Sequence, residues 1–328
     1  MKIIRVVYFT DNGKKIAEKL NKDFILEEKP ATTELKTWTG DTFALHLPIL
    51  FIGSTGIAVR TIAPFVENKL TDSPVIVVDE LGMNVIPILS GHYGGANELA
   101  KEIAQVLDAT PIITTATDIN NVFAIDVFAE KNGLRIQNKD QIKKVSSKLL
   151  KQETVVIKNE IPSIIFEGDQ PENVELFTNQ TTYDVLITDK EKAEDCLVLI
   201  PNKIILGMGC KKDKPFEELI DFVKKHYVIE DLKKDIYAIT SIDVKANEPG
   251  LLKLAAYLDT WLITFPAEDL QKATGNFTTS DFVKQTVGVD NVSERSAVTL
   301  GGTLTRKKIA ENGMTLAEAV RDIRSFVW

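Results

Sequence analysis

Three segments of the chain share one design capable of chemistry: an apolar run, a glycine-rich turn, then a helical stretch. In IGSTGIAVR, Gly53 and Gly56 bracket Ser54 and Thr55, and Arg60 follows about one turn later. In LSGHYGGANELA, Gly91, Gly94 and Gly95 surround His92, with Asn97 opening the helical stretch behind them. In ILGMGCKKD, Gly207 and Gly209 lead into Lys211 and Lys212. Glycine lets backbone amides approach a ligand, and a helix N-terminus adds unpaired donors and a positive dipole end. Such turns suit carboxylates or phosphates, although any one of them alone is equally a tight connection. His92, set among glycines rather than on an apolar face, reads as ligand-facing. No GxxxxGK[ST] is present and no GxGxxG follows the first strand, so the P-loop and dinucleotide signatures are missing.

Other side chains divide between two readings. Asp79 and Glu80 follow the run PVIVV and precede Gly82, which places them at a strand end where ligands collect or in a solvated loop. Arg60 is an anion clamp or a surface helix residue. Glu98 reads as a surface charge. Cys210 beside Lys211 reads as inert, with a lowered thiol pKa as the alternative. Glu248 ahead of Pro249 is ordinary helix N-terminal chemistry. Arg306, Lys307 and Lys308 form a solvated run or a cationic wall facing an acidic ligand.

The elements that must position these residues alternate strand and helix. Strands are expected over 2–9, 48–52, 75–78, 85–87 and 111–113, with helices near 12–20, 55–69 (kinked or broken at Pro64) and 93–107. Ala96, Leu99, Ala100, Ile103, Ala104 and Leu107 make the sheet-facing stripe of the last of these. Beyond Gly133 a helix near 139–150 is followed by short strands at 154–158, 163–166, 183–188 and 196–200. The rhythm resumes with strands 203–208, 236–241 and 261–265 and helices 214–227 and 249–258. A last helix is announced by the capping box Thr315 to Glu318. The fold class is therefore α/β: two α/β domains with mostly parallel sheets, 1–132 and 203–328, joined by a small middle domain at 133–202.

With 328 residues, 44% of them hydrophobic, the chain is a globular protein of more than one domain. A net charge of −8 argues against nucleic acid as a partner, although cations and helix N-termini gathered in one cleft can still bind a polyanion. No apolar run reaches membrane-spanning length, and the start reads as a strand turning into a helix rather than a signal peptide. Two cysteines, Cys196 and Cys210, and three scattered histidines give neither a disulfide framework nor a zinc motif, so a cytoplasmic protein with no metal of its own is expected.

Taken together these segments resemble the CbiG family. The order GSTGIAVRTIAP, DSPVIVVDELG, LSGHYGGANELAKEIA, ITTATD carries the N-terminal half of the resemblance; GMGCKKD, SIDVKANEPGLLKLA, VGVDNVSERSA and a late basic strand carry the rest. The second half is similar to the CobE proteins, and the middle matches by position. Tyr93 departs from the polar or basic residue common beside the histidine. The resemblance implies a hydrolase of cobalt-precorrin-5A that opens the ring A acetate δ-lactone and releases acetaldehyde, with cobalt carried by the substrate and no cofactor. His92 would be the base and the Gly94–Gly95 amides the oxyanion donors, with Asp79 and Glu80 the other catalytic candidates. The glycine turns, Arg60, Asn97, Lys211, Lys212 and Arg306 would bind the substrate's carboxylates, and the two α/β ends would share it. A homodimer or transient contacts with pathway enzymes are the expected associations. The competing classes are a non-catalytic tetrapyrrole carrier, which would not need His92, and a nucleotide- or sugar-phosphate enzyme, which the missing signatures disfavour.

Overall fold

The structure is a computed structural model that describes residues 3–67, 72–91, 94–115, 122–177, 182–280, 285 and 287–328. Packing divides the chain into two compact units, Met1–Val127 with Leu149–Lys151, and Phe128–Lys148 with Gln152–Trp328.

The first unit is built on six strands: β1 (Ile3–Tyr8), β2 (Ile25–Glu28), β3 (Ile49–Ile52), β4 (Val75–Val78), β5 (Asn84–Leu89) and β6 (Thr110–Pro111). They lie in the order β2-β1-β3-β4-β5-β6. Strands β3 and β4, ILFI and VIVV, are buried at every position, as strands covered on both faces must be. Their side chains alternate between two cores. Leu50, Ile52, Ile76 and Val78 pack with helices α1 (Asp11–Leu20) and α4 (Ala96–Leu107). Ile49, Phe51, Val75 and Val77 pack with α2 (Leu35–Ala44) and α3 (Thr55–Ile62). Helix α3 stops before Pro64 and a short 3₁₀ turn follows, the break rather than the kink of the two outcomes Pro64 allows. All neighbouring strands are parallel except β4 and β5, which form an antiparallel pair with Val75 opposite Leu89 and Val78 opposite Val85.

The second unit begins within α5 (Ile125–Lys131) and takes in most of α6 (Ile142–Leu150). Its middle sheet has the order β10-β8-β11-β12-β7, formed by β7 (Leu134–Ile136), β8 (Val155–Asn159), β10 (Val174–Phe177), β11 (Val185–Ile187) and β12 (Leu197–Pro201). Strand β9 (Ile165–Glu167) leaves that sheet and pairs instead with β18 (Ser325–Val327). Phe128, Phe166, Phe326 and Trp328 cluster there, with ring centroids 4.9–6.3 Å apart. Asn132 exchanges hydrogen bonds with the backbone of Val327 at 2.7 and 2.9 Å. Arg321 stacks on Tyr237 at 3.7 Å and donates to the carbonyls of Asn132, Gly133 and Asn202. The segment expected as a separate middle domain is thus bolted to the far end of the chain.

The last sheet runs β15-β14-β13-β17-β16. Its parallel strands are β13 (Ile204–Cys210), β14 (Ile236–Ile242) and β15 (Trp261–Phe265). Helices α7 (Phe216–Lys224), α8 (Ile229–Asp235) and α9 (Pro249–Tyr257) cover one face; α10 (Ala267–Lys272) and α11 (Val292–Thr299) lie on the other. Residues 315–318, expected to cap a helix, lie instead in strand β17 (Met314–Arg321), antiparallel between β13 and β16 (Gly302–Glu311). TLAEAV has helical propensity, but the pairing of seven consecutive residues with β13 overrides it.

Candidate functional site

The antiparallel turn of β5 decides where the N-terminal motifs lie. It carries the chain back to the beginning of β4, so Leu89–Gly91 and Gly94–Asn97 sit at the amino-terminal edge of the β1, β3 and β4 strands. Ser90 adopts a left-handed φ of 54°, is buried, and donates its hydroxyl to the Asp72 carbonyl at 2.8 Å. Two backbone bonds, Ala96 N to Ser90 O (3.1 Å) and Asn97 N to Gly91 O (2.9 Å), then close the turn onto α4. Each glycine has its own reason. A Cβ at Gly91 would stand 2.7 Å from Asn97 Oδ1, one at Gly94 would stand 2.5 Å from the Ser90 Cβ, and Gly95 has φ +74°. These glycines therefore let the turn close on its own floor, the tight-connection reading of the two that the sequence offered. His92 and Tyr93 lie outside the described residues.

Asn97, expected to touch substrate, is only 3% exposed and forms part of that floor. Its Nδ2 donates to Thr115 Oγ1 at 3.1 Å. Thr115 belongs to ITTATD, which follows β6 along β5 to the same edge. Three of the four N-terminal segments named above, through Asp72, Ser90–Asn97 and Thr115, meet here.

The GSTG segment is at the opposite edge, where β1, β3 and β4 end. Gly53 donates to the Val78 carbonyl at 2.8 Å, Thr55 starts α3, and Ser54, Gly56 and Arg60 are exposed. The Arg60 guanidinium folds back over the first turn. Its Nη1 and the Ser54 hydroxyl lie 3.5 and 3.7 Å from where a Gly56 Cβ would be. Asp79 is at this edge too, committed to the β4–β5 turn. Its carboxylate accepts from Leu81 N (2.8 Å), Met83 N (3.4 Å), Asn84 N (2.5 Å) and Asn84 Nδ2 (2.9 Å). Burial alone would raise its pKa, but these donors outweigh burial and lower it. Glu80 beside it is exposed. Four strand residues, about 13 Å, separate the two edges. Asp79 and Glu80 therefore lie at the other edge from Gly91, Gly94 and Gly95, and the two N-terminal glycine segments sit at opposite ends of the strands.

In the last sheet, Gly207 and Gly209 lie inside strand β13 rather than in a turn. A Cβ at Gly207 would be 1.7 Å from the Ser293 carbonyl oxygen of α11, and one at Gly209 2.7 Å from Thr315 Oγ1. They are packing glycines. Lys211 and Lys212 are exposed beyond the strand end, and the Lys211 amide donates to Gly313 O at 3.0 Å. Arg306 is half-buried over the Tyr227 ring at 4.8 Å, and the Tyr227 hydroxyl donates to Glu318 at 2.6 Å. It is a packed residue rather than an open cationic wall. Burial pushes the Cys210 thiol up to about 11, so the neighbouring lysines do not activate it. Glu248 does more than precede a helix: its carboxylate binds Lys245 Nζ (2.6 Å) and the Lys214 amide (3.2 Å), tying the ends of β13 and β14.

Sequence reasoning missed Glu294. It is fully buried and accepts from Thr278 N, Thr278 Oγ1 and Lys308 N at 2.7–2.8 Å. Burial would raise its pKa, but these donors lower it. The signal was the Asn-x-x-Glu spacing of Asn291 and Glu294, for Asn291 caps α11 through Glu294 N at 2.9 Å.

Comparison with known proteins covers most of the chain. Residues 37–118 match the family model described as cobalamin synthesis G N-terminal, 123–201 the cobalamin biosynthesis central region, and 204–319 the cobalamin synthesis G C-terminus. Cobalt-precorrin-5A hydrolase of Salmonella typhimurium is 35% identical over 295 residues, covering 85% of this chain and 83% of that one. The enzyme of the same name from Priestia megaterium is 29% identical over 298 residues, covering 85% and 79%. A crystal structure of a cobalamin biosynthesis protein G homologue from Sulfolobus solfataricus shares 26% identity with a TM-score of 0.43, covering 98% of this chain and 97% of that one. With three consecutive domain matches and a relative above 30% identity along most of its length, the chain belongs to the CbiG family of cobalt-precorrin-5A hydrolases.

Proposed function

We propose that the protein hydrolyses cobalt-precorrin-5A at the edge of the first sheet that carries the Gly91–Gly95 turn. The observation behind this placement is the meeting there of Asp72, the glycine turn and Thr115, from three separate segments of the family resemblance. In this reading His92 takes a proton from water as its oxygen attacks the lactone carbonyl. The Gly94–Gly95 amides receive the developing oxyanion. The acyl–oxygen bond then breaks, leaving a free acetate and an alcohol on the two-carbon fragment. Loss of that alcohol's proton forms the carbonyl of acetaldehyde as the carbon–carbon bond breaks, and its electron pair passes to the macrocycle, which is protonated. We place the reaction in the cytoplasm, consistent with Cys196 and Cys210 both being free thiols.

Anaerobic incubation with cobalt-precorrin-5A tests the activity: one acetaldehyde should appear per turnover without added metal or nucleotide. Substrate bound without acetaldehyde release would leave a carrier instead. The placement has its own test. Arg60→Gln, at the opposite edge, is expected to change kcat/KM by no more than about fivefold, the scale of one exposed charge. A larger loss, relieved by salt, would move the substrate to the GSTG edge.

A further inference from the structure

We infer that Asn97 and Thr115 are positioning residues that hold the Gly91–Gly95 turn in its reacting shape, a role that rests on assigning that turn to the reaction. Asn97 is the one polar side chain among the buried residues of α4, whose others are Ala96, Leu99, Ala100, Ile103, Ala104 and Leu107. A buried amide is costly unless paired, so helix packing alone would favour an apolar residue there. Its atoms divide between two segments far apart in sequence. The backbone amide holds Gly91 O at 2.9 Å, and Oδ1 fills the space that a Cβ on residue 91 would need. The side-chain Nδ2 reaches across to Thr115 Oγ1. Ser90 completes the support from below, since its strained backbone and its bond to Asp72 O fix where the turn begins. Asn97 thereby ties Gly91 to Thr115 and is the joint between the two segments.

The test uses the full-length protein. Asn97→Ala and Thr115→Val should each lower kcat about tenfold or more while KM stays within about twofold, as expected when a reacting group is misplaced and binding is kept. The double variant should be no worse than the poorer single, because both remove one contact. Thr115→Ser, which keeps the hydroxyl, should restore activity. Gly91→Ala should be severely impaired alone but cost little in the Asn97→Ala background, where the obstructing amide is gone. Additive losses, a failure of Thr115→Ser to rescue, or equal harm from Gly91→Ala in both backgrounds would overturn the proposal. If wild-type protein releases no acetaldehyde, the functional reading fails by itself and hydrogen exchange judges the joint. The amides at positions 96 and 97 should then exchange about tenfold faster in Asn97→Ala, and unchanged exchange would overturn the inference.

Discussion

Replacing Gly207 by alanine is expected to destabilise the second unit by at least about 3 kcal/mol, lowering its thermal midpoint by about 6–12 °C. The added Cβ would meet the Ser293 carbonyl oxygen at 1.7 Å, its carbon at 2.7 Å and the Ala297 Cβ at 3.1 Å. Two of those obstacles are backbone, which no rotamer change removes. Nor can α11 slide aside freely. It is capped by Asn291, its Glu294 grips Thr278 and Lys308, and its Ser296 accepts from Thr240 Oγ1 at 3.0 Å. Gly301→Ala is the control. Nothing lies within 4 Å of its added carbon, and only the φ of +88° opposes it. That strain alone should cost about 1 kcal/mol. Calorimetry on both variants compares them, and equal midpoints would contradict the packing of α11 on β13.

His92→Asn and His92→Ala are expected to lose at least about 100-fold in kcat, the scale on which a general base contributes. KM should change far less, because binding rests on other contacts. The expectation stands on sequence and on the company its turn keeps: Gly91 and Gly94 are described at an edge shared with Asp72 and Thr115. Thermal midpoints near that of wild type would show that folding is not the cause. Single-turnover acetaldehyde release then reads the chemical step. A near-normal rate would move the base elsewhere. Asp79 is poorly suited to take over, since its carboxylate is held by Leu81, Met83 and Asn84. Glu80, exposed at the opposite edge, would be next to test.

Periodicity made much of the fold legible. The stripe from Ala96 to Leu107, the stop before Pro64 and the strand at 261–265 are where the residues put them. The direction of β5 was not legible in the same way. PVIVV and NVIPIL separated by DELGM admit a hairpin, but each run alone also fits a parallel strand with covered faces. That one reversal puts Asp79 and Arg60 at one edge of the sheet and Gly91 and Gly94 at the other, so the alternative candidates for the chemistry lie in different places for a topological reason. Gly207 shows a second limit. A glycine advertises freedom of backbone and lack of bulk equally, and only the neighbour reveals which is used. The TLAEAV strand shows a third, because local propensity cannot see the two strands that β17 joins.

The pairing of β9 with β18 also sets an order of events during synthesis. The first unit can fold while the ribosome is still translating, since its strands all lie before residue 112. The segment after Phe128 cannot complete itself then. Phe166 waits for Phe326 and Trp328, Asn132 for Val327, and the carbonyls of Asn132, Gly133 and Asn202 for the Arg321 guanidinium. Until those residues emerge, a nascent chain shows an unpaired strand and uncovered aromatic rings, the surface that chaperones bind and that aggregates grow from. A nonsense mutation shortly after Arg321 would thus injure a region encoded far upstream of it, leaving the first unit intact.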